Sequence, residues 1–415
     1  MQSSQASSSE TLDVSRSPQP LGAHGLDQEK AAPAQTDVPD GGLKAWMTVA
    51  GSWLILFCTF GYLNAFGVFE DYYARDYLTS KTTSVVSWIG STQLCLLFMM
   101  GLVSGKLFDL GYFHWCIGIG SLIYVFCLFM LSLAHKNEYY QVFLPQAIGL
   151  GLSQGLLFLP SVGVISHHFK KRRSLAMGIV LTGSSCGGII FPVMLNNIIK
   201  QSGFGWGVRA TAFVVLGCLV AANLMMKTRL PPKADRAPPP PPDIRGIVTH
   251  GVFQLTVAGS FLIMLGIWFP IFYVQLFAIV HDIDANLAFY SLAILNASSI
   301  FGRTIPNLLA DKFGIFNVII PCSAIVGVLV FAMFGVKSAG ALIVFSILYG
   351  FFSGAFVSLI SPMFVALARH MHEVGARLGL GFAVVGIATL IGTPISGALL
   401  TDENLWYRPI VFAGS

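Results

Sequence analysis

Apolar residues occupy this chain in long blocks separated by short polar ones. Met47–Phe69, Val85–Ser104, Trp115–Leu133 and Ala341–Leu367 are examples, each supplying about 20 residues or more, enough to cross a hydrocarbon core of roughly 30 Å. Such segments must be helices, because lipid cannot satisfy open backbone groups. The pattern predicts eleven complete spans, over 45–69, 82–104, 113–133, 140–166, 174–199, 208–227, 248–279, 286–309, 316–336, 340–367 and 376–400. A twelfth starts near Trp406 and has room before Ser415 for only about 15 Å of helix, at roughly 1.5 Å per residue. The last helix is therefore expected to be cut short.

Composition agrees with this pattern: 55% of the 415 residues are hydrophobic and 10% charged, which fits a chain whose solvent is mostly lipid and excludes a soluble enzyme. The formal charge of +5 invites a nucleic-acid reading. Its placement argues against one, since the basic residues lie at helix ends and loops. Lys106, Lys170–Arg173, Lys312, Arg369 and Arg377 fall on the side shared with the amino-terminal tail, so tail and central connector are expected to be cytosolic. The opposite side mixes fewer basic residues with Glu70, Asp76, Glu138, Asp282, Asp284 and Asp402.

Residues 1–39, rich in Ser, Gln, Ala and Pro, read as a disordered cytosolic tail. Residues 40–228 then form an amino-terminal six-helix bundle, 229–246 a proline-rich cytosolic linker containing Pro238–Pro242, and 247–415 a carboxy-terminal bundle of five full helices and part of a sixth. The two halves repeat. Asp109 pairs with Asp311, Pro160 with Pro362 and Pro192 with Pro394, each pair about 202 residues apart, as expected of a parallel internal duplication.

Several segments carry more specific information. Gly105, Lys106, Asp109 and Gly111 lie between spans 2 and 3, with Asp311, Lys312 and Gly314 as their counterpart; a carboxylate at a helix end can accept backbone N–H groups, and glycine permits a tight turn. This pair resembles the cytosolic-loop signature of the major facilitator superfamily, which implies a conformational latch between the bundles. Pro39-Asp-Gly-Gly-Leu-Lys-Ala-Trp46 stands before span 1, and Phe169-Lys-Lys-Arg-Arg-Ser-Leu-Ala-Met-Gly178 opens span 5. Together these resemble the two signatures of the monocarboxylate porter family, in its fungal form. The resemblance continues through Gly302-Arg303 and Tyr349-Gly-Phe-Phe-Ser-Gly354 and implies an all-α membrane protein with the major facilitator fold of two six-helix bundles.

Arg303 lies inside span 8, where a guanidinium is costly unless it faces a cavity or partner. It can grip a carboxylate through two hydrogen bonds, and the resemblance implies that role. Asn64 and Asn296 are further candidates for solute binding. Lys170, Lys171, Arg172 and Arg173 are a surface anchor, to which the resemblance adds gating. Animal relatives carry a lysine where this chain has Asn64 and an aspartate where it has Ser299, so their proton relay does not transfer residue by residue. Gln93, Gln146, Gln154, Gln275 and Asn307 line a cavity or bond helix to helix.

The chemistry expected is secondary or facilitative transport of a small organic solute, carboxyl-bearing or monocarboxylate-like, by alternating access in the plasma membrane. Export from a biosynthetic pathway is one form of it. The expected partners are the solute and the lipid bilayer, with a proton as the candidate coupling ion and no nucleic acid. No cofactor and no metal site is expected: Cys58, Cys95, Cys116, Cys127, Cys186, Cys218 and Cys322 all lie in apolar runs without ligand spacing. No paired carboxylates or nucleophile-base set marks an enzyme. The alternative is a non-transporting membrane sensor or an inactive remnant.

Overall fold

The computed structural model describes residues 40–228, 243–369, 373–400 and 406–415; the expected tail and most of the expected linker lie outside them. The helices in chain order are α1 (Leu43–Glu70), α2 (Val85–Asp109), α3 (Phe113–Leu131), α4 (Tyr139–His167), α5 (173–202), α6 (204–225), α7 (Gly251–Val280), α8 (Ala285–Phe313), α9 (Ile315–Gly335), α10 (Ala339–Ala366), α11 (Val374–Leu399) and α12 (Tyr407–Gly414). The expected eleven spans are therefore present as α1 to α11, with ends shifted by a few residues. Within Arg173–Met225 the chain leaves the helical conformation at Gly203, at φ 82° and ψ 169°, which separates α5 from α6. Only glycine adopts that backbone without strain.

Two local features depart from the sequence reading. Gly105 and Asp109 belong to the last turns of α2 and not to a loop. Across the end of the expected linker, Ile244–Val248 forms a short helix, capped by Asp243, whose carboxylate accepts from the Gly246 N–H at 2.9 Å.

The outside of the bundle is as apolar as its interior. Leu122, Leu224 and Leu255 are each more than 70% exposed, which a protein surrounded by water avoids on this scale and one surrounded by lipid requires. Polar groups are spent between helices. Tyr124 donates to the Cys58 carbonyl at 2.9 Å, and Gln154 donates to the Thr59 carbonyl at 3.0 Å while accepting from Gln93 at 3.1 Å. Gln146 accepts from Tyr73 at 2.6 Å. Of the two roles open to these glutamines, Gln93, Gln146 and Gln154 take the helix-to-helix one.

Candidate functional site

The first helix of each half is irregular at its middle. In α1 the regular pattern breaks at Thr59 and again at Asn64–Ala65. In α7 it breaks at Ile267, where Pro270 offers no N–H to Gly266, four residues earlier. The Ile267 carbonyl accepts from the Tyr349 hydroxyl of α10 at 2.7 Å. Interrupted helices deep in a membrane bundle survive where they line a cavity.

A small polar hollow lies beside both breaks. It has about 30 Å³ of free space, enough for one or two waters. Asn64 and Phe60 of α1, Trp268 of α7, Asn296 and Arg303 of α8, and Ser184 of α5 surround it. The expected solute residues Arg303, Asn64 and Asn296 therefore meet at one place, contributed by both halves. Asn64 donates to the Ser184 carbonyl at 3.4 Å and Asn296 to the Leu292 carbonyl at 3.0 Å. Gly188 of α5 leaves room for both amides: a Cβ there would lie 2.9 Å from Asn296 Oδ1 and from Asn64 Nδ2.

Arg303 is tied across the interface. Its Nη1 donates to the Leu181 carbonyl at 2.8 Å and to the Ser184 hydroxyl, both on α5, while Nε has no acceptor among the described residues. Ser299, one turn away on α8, shares a 2.5 Å hydrogen bond with Ser185 of α5. The guanidinium thus has one engaged edge and one unmet donor beside the hollow.

Adjacent residues of α1 separate this hollow from a larger one. Leu63, Phe66 and Glu70 of α1, Phe272 and Tyr273 of α7, and Thr393 of α11 help to line a cavity of about 300 Å³ between the halves. Glu70 accepts from Ser87 of α2. Of the expected polar candidates, Gln275 belongs to this cavity. Asn307 is instead held within the carboxy-terminal half, donating to the Arg303 carbonyl at 2.8 Å and to Ser358 at 2.6 Å.

At the other end of the bundle the two halves are closed. Asp109, ending α2, accepts from the Gly375 and Ala376 N–H groups at 3.0 and 2.9 Å, at the start of α11. Asp311, near the end of α8, accepts from the Ser174 and Leu175 N–H groups at 3.0 and 2.8 Å, at the start of α5. Each carboxylate fills unmet donors at a helix N-terminus of the opposite half, where the dipole favours negative charge. The two contacts are the same arrangement repeated. Gly105 permits the first: a Cβ there would sit 2.3 Å from the Gly375 carbonyl oxygen. Gly111 and Gly314 end α2 and α8 with φ of 87° and 90°, and Lys312 is exposed beside them. Arg377, expected at the surface of this end, is instead buried, 3.3 Å from Glu373 and over the ring of Phe253.

The two segments that carry the family resemblance touch. Asp40 accepts from the Lys170 and Lys171 backbone N–H groups at 2.5 Å each, and Trp46 meets Phe169 edge-on at 5.4 Å. The side chains of Lys170, Lys171 and Arg172 are exposed, and Arg173 is half-buried. Burial pushes the Asp40 pKa up, but the backbone N–H groups of Lys170, Lys171 and Arg172 and the charge of Lys171 outweigh it, leaving the carboxyl below its ordinary 3.8. A depressed carboxylate stabilises the fold above its unfolded pKa and loses that contribution only as pH falls through the folded value, here below about pH 4. Asp40→Asn is thus expected to speed tryptic cleavage at Lys170–Arg173 in vesicles exposing this end, at pH 7 and pH 5 alike. Unchanged cleavage would show that Asp40 does not hold the segment.

Sequence reasoning missed Ser184, Gly188 and Trp268. Serine and glycine in an apolar helix read as packing residues, and the tryptophan read as part of an apolar run; only the fold brings them to Arg303.

Two bundles of lipid-facing helices, meeting at paired helix-end contacts and enclosing a polar hollow beside their broken first helices, define a multi-pass membrane carrier. Residues 52–339 match the family model described as Major Facilitator Superfamily, and the chain belongs to that superfamily; it is a membrane transporter. Among similar curated proteins, the aspyridones efflux protein apdF of Emericella nidulans is 41% identical over 385 residues, covering 92% of this chain and 77% of that protein. The agnestins efflux protein AgnL12 of Paecilomyces divaricatus is 40% identical over 357 residues, covering 86% and 81%. Solved structures share the fold. The human organic anion transporter MFSD10 superposes with a TM-score of 0.70 at 13% identity, covering 90% of this chain and 98% of that one. The E. coli fucose:proton symporter FucP gives 0.65 at 14% identity, covering 89% and 95%.

Proposed function

We propose that the protein carries an organic acid across the plasma membrane by alternating access, in the manner of a monocarboxylate porter, with Arg303 as the group that takes the acid's anionic oxygens. The observation that carries this reading is the Arg303 guanidinium, buried beside a hollow formed by both halves and holding an unmet Nε donor. A cation inside an apolar bundle, with no carboxylate partner among the described residues, is an open position for an anion. The amino terminus and the Asp109 end are cytosolic in this reading, as the basic residues at that end favour.

The same geometry links binding to movement. The hollow is too small for an organic solute, so binding must widen it. A solute that draws the guanidinium from Leu181 and Ser184 removes a bond between α8 and α5, which belong to opposite halves. A ligand shifts a conformational equilibrium only through such differential contacts. Asp109 and Asp311 latch the cytosolic end, and the cavity at Glu70 is the path to the outside. Relatives named as efflux proteins support export of a metabolite, and the apolar lining beside Arg303 suits a larger, partly aromatic acid.

The test is flux of a panel of labelled organic acids, small aliphatic and larger aromatic, in host cells lacking their own porters. Saturable export above cells without the chain is expected for at least one aromatic acid. Surface expression with no flux of any acid in either direction would end the carboxylate reading.

A further inference from the structure

Trp268 is 6% exposed, lines the Arg303 hollow, and its indole N–H finds no acceptor among the described residues. Indole nitrogen is a donor only, and a buried unmet donor is a standing cost that phenylalanine, filling similar apolar space, would not incur. The ring is held in place. Trp268 opens the second segment of α7 after the break at Ile267 and stacks on Phe272 at 5.8 Å and 21°.

Several other polar groups of the hollow are engaged. Ser184 accepts from Arg303, Ser299 is bonded to Ser185, and the Asn64 and Asn296 amide nitrogens donate to backbone carbonyls. Two buried donors at the hollow have no acceptor among the described residues, Arg303 Nε on α8 and Trp268 Nε1 on α7. Both belong to the carboxy-terminal half. Phe60, Ile271, Leu295 and Val357 add apolar surface to the same lining.

We propose that Trp268 is a second anchor of the solute site, and that the solute is an organic acid bearing a further hydrogen-bond acceptor, a carbonyl or hydroxyl oxygen, on an apolar body. The anionic oxygens go to Arg303 and the second acceptor to the indole N–H. This rests on the solute site proposed above and adds a requirement to it. An acid without the second acceptor leaves the indole unmet and is carried less well, because a site built around a donor discriminates against ligands that cannot answer it.

The test compares two labelled probes in vesicles containing the full chain, phenylpyruvate and 3-phenylpropionate. They share ring, chain length and carboxylate and differ in the keto oxygen. Wild type is expected to carry phenylpyruvate with about tenfold higher efficiency, the scale of one well-placed hydrogen bond. Trp268→Phe is expected to lose that preference, bringing the efficiencies for the two acids to within about twofold of each other. Equal handling of the two acids by wild type overturns the proposal without recourse to any variant. So does a preference that persists in Trp268→Phe, or a parallel loss of both fluxes, which would mark Trp268 as structural only. If wild type moves neither acid, the reading of Arg303 as an acid site fails for aromatic acids, and the role of Trp268 falls with it.

Discussion

Arg303→Ala is expected to remove saturable flux of any acid that wild type carries, and Arg303→Lys to restore little of it. Losing a desolvated charged contact costs about 2–5 kcal/mol, which is upward of roughly 30-fold in affinity. Lysine keeps the charge but presents its donors from one nitrogen, without the planar fork that grips two carboxylate oxygens in parallel. The variant should keep its thermal stability or gain some, because removing a desolvated cation that has no carboxylate partner among the described residues relieves a desolvation cost. Flux measured beside the unfolding midpoint separates the two roles. Loss of flux with an unchanged or raised midpoint supports solute binding; a midpoint that falls in step with flux would make Arg303 a structural tie between α5 and α8.

The second large effect is expected at the closed end. Asp109→Ala combined with Asp311→Ala leaves four N–H donors without their carboxylates, two at the start of α11 and two at the start of α5. A helix-terminal carboxylate contributes about 1–2 kcal/mol. Losing both should shift the balance between closed and open forms by roughly 30-fold or more. Spin labels at the exposed positions Lys106 and Lys312, in a chain freed of its seven cysteines, would report it as growth of a longer distance. Gly105→Leu should act in the same direction, since a Cβ there meets the Gly375 carbonyl at 2.3 Å. A distance distribution unchanged in both variants would mean that these contacts do not hold the end shut.

Much of this architecture is legible in the chain because lipid imposes a simple rule. A segment long and apolar enough to cross must be helical, so the expected spans become α1 to α11 within a few residues. The repeat is legible for a related reason: Asp109 and Asp311, like Pro160 and Pro362, sit where the two halves must behave alike. What hydropathy cannot supply is which groups meet across the interface. Arg303 stands out because a cation in an apolar helix demands an explanation. Its partners Leu181 and Ser184 do not, since a backbone carbonyl and a serine in a helix are ordinary. Trp268 is hidden for the opposite reason, its ring being as apolar as its neighbours while the one polar atom decides its role. The α2 carboxylate was legible as a helix-end group but not its acceptance of N–H groups from α11, because residues 109 and 375 are brought together only by the pairing of the halves.

The most direct test of the account is counterflow in vesicles preloaded with unlabelled phenylpyruvate and diluted into a trace of the labelled acid. A carrier that exposes one site alternately to each side predicts a transient accumulation of label above equilibrium, absent from vesicles that are not preloaded and from those holding Arg303→Ala. Label that merely equilibrates, at a rate indifferent to preloading and to Arg303, would contradict it.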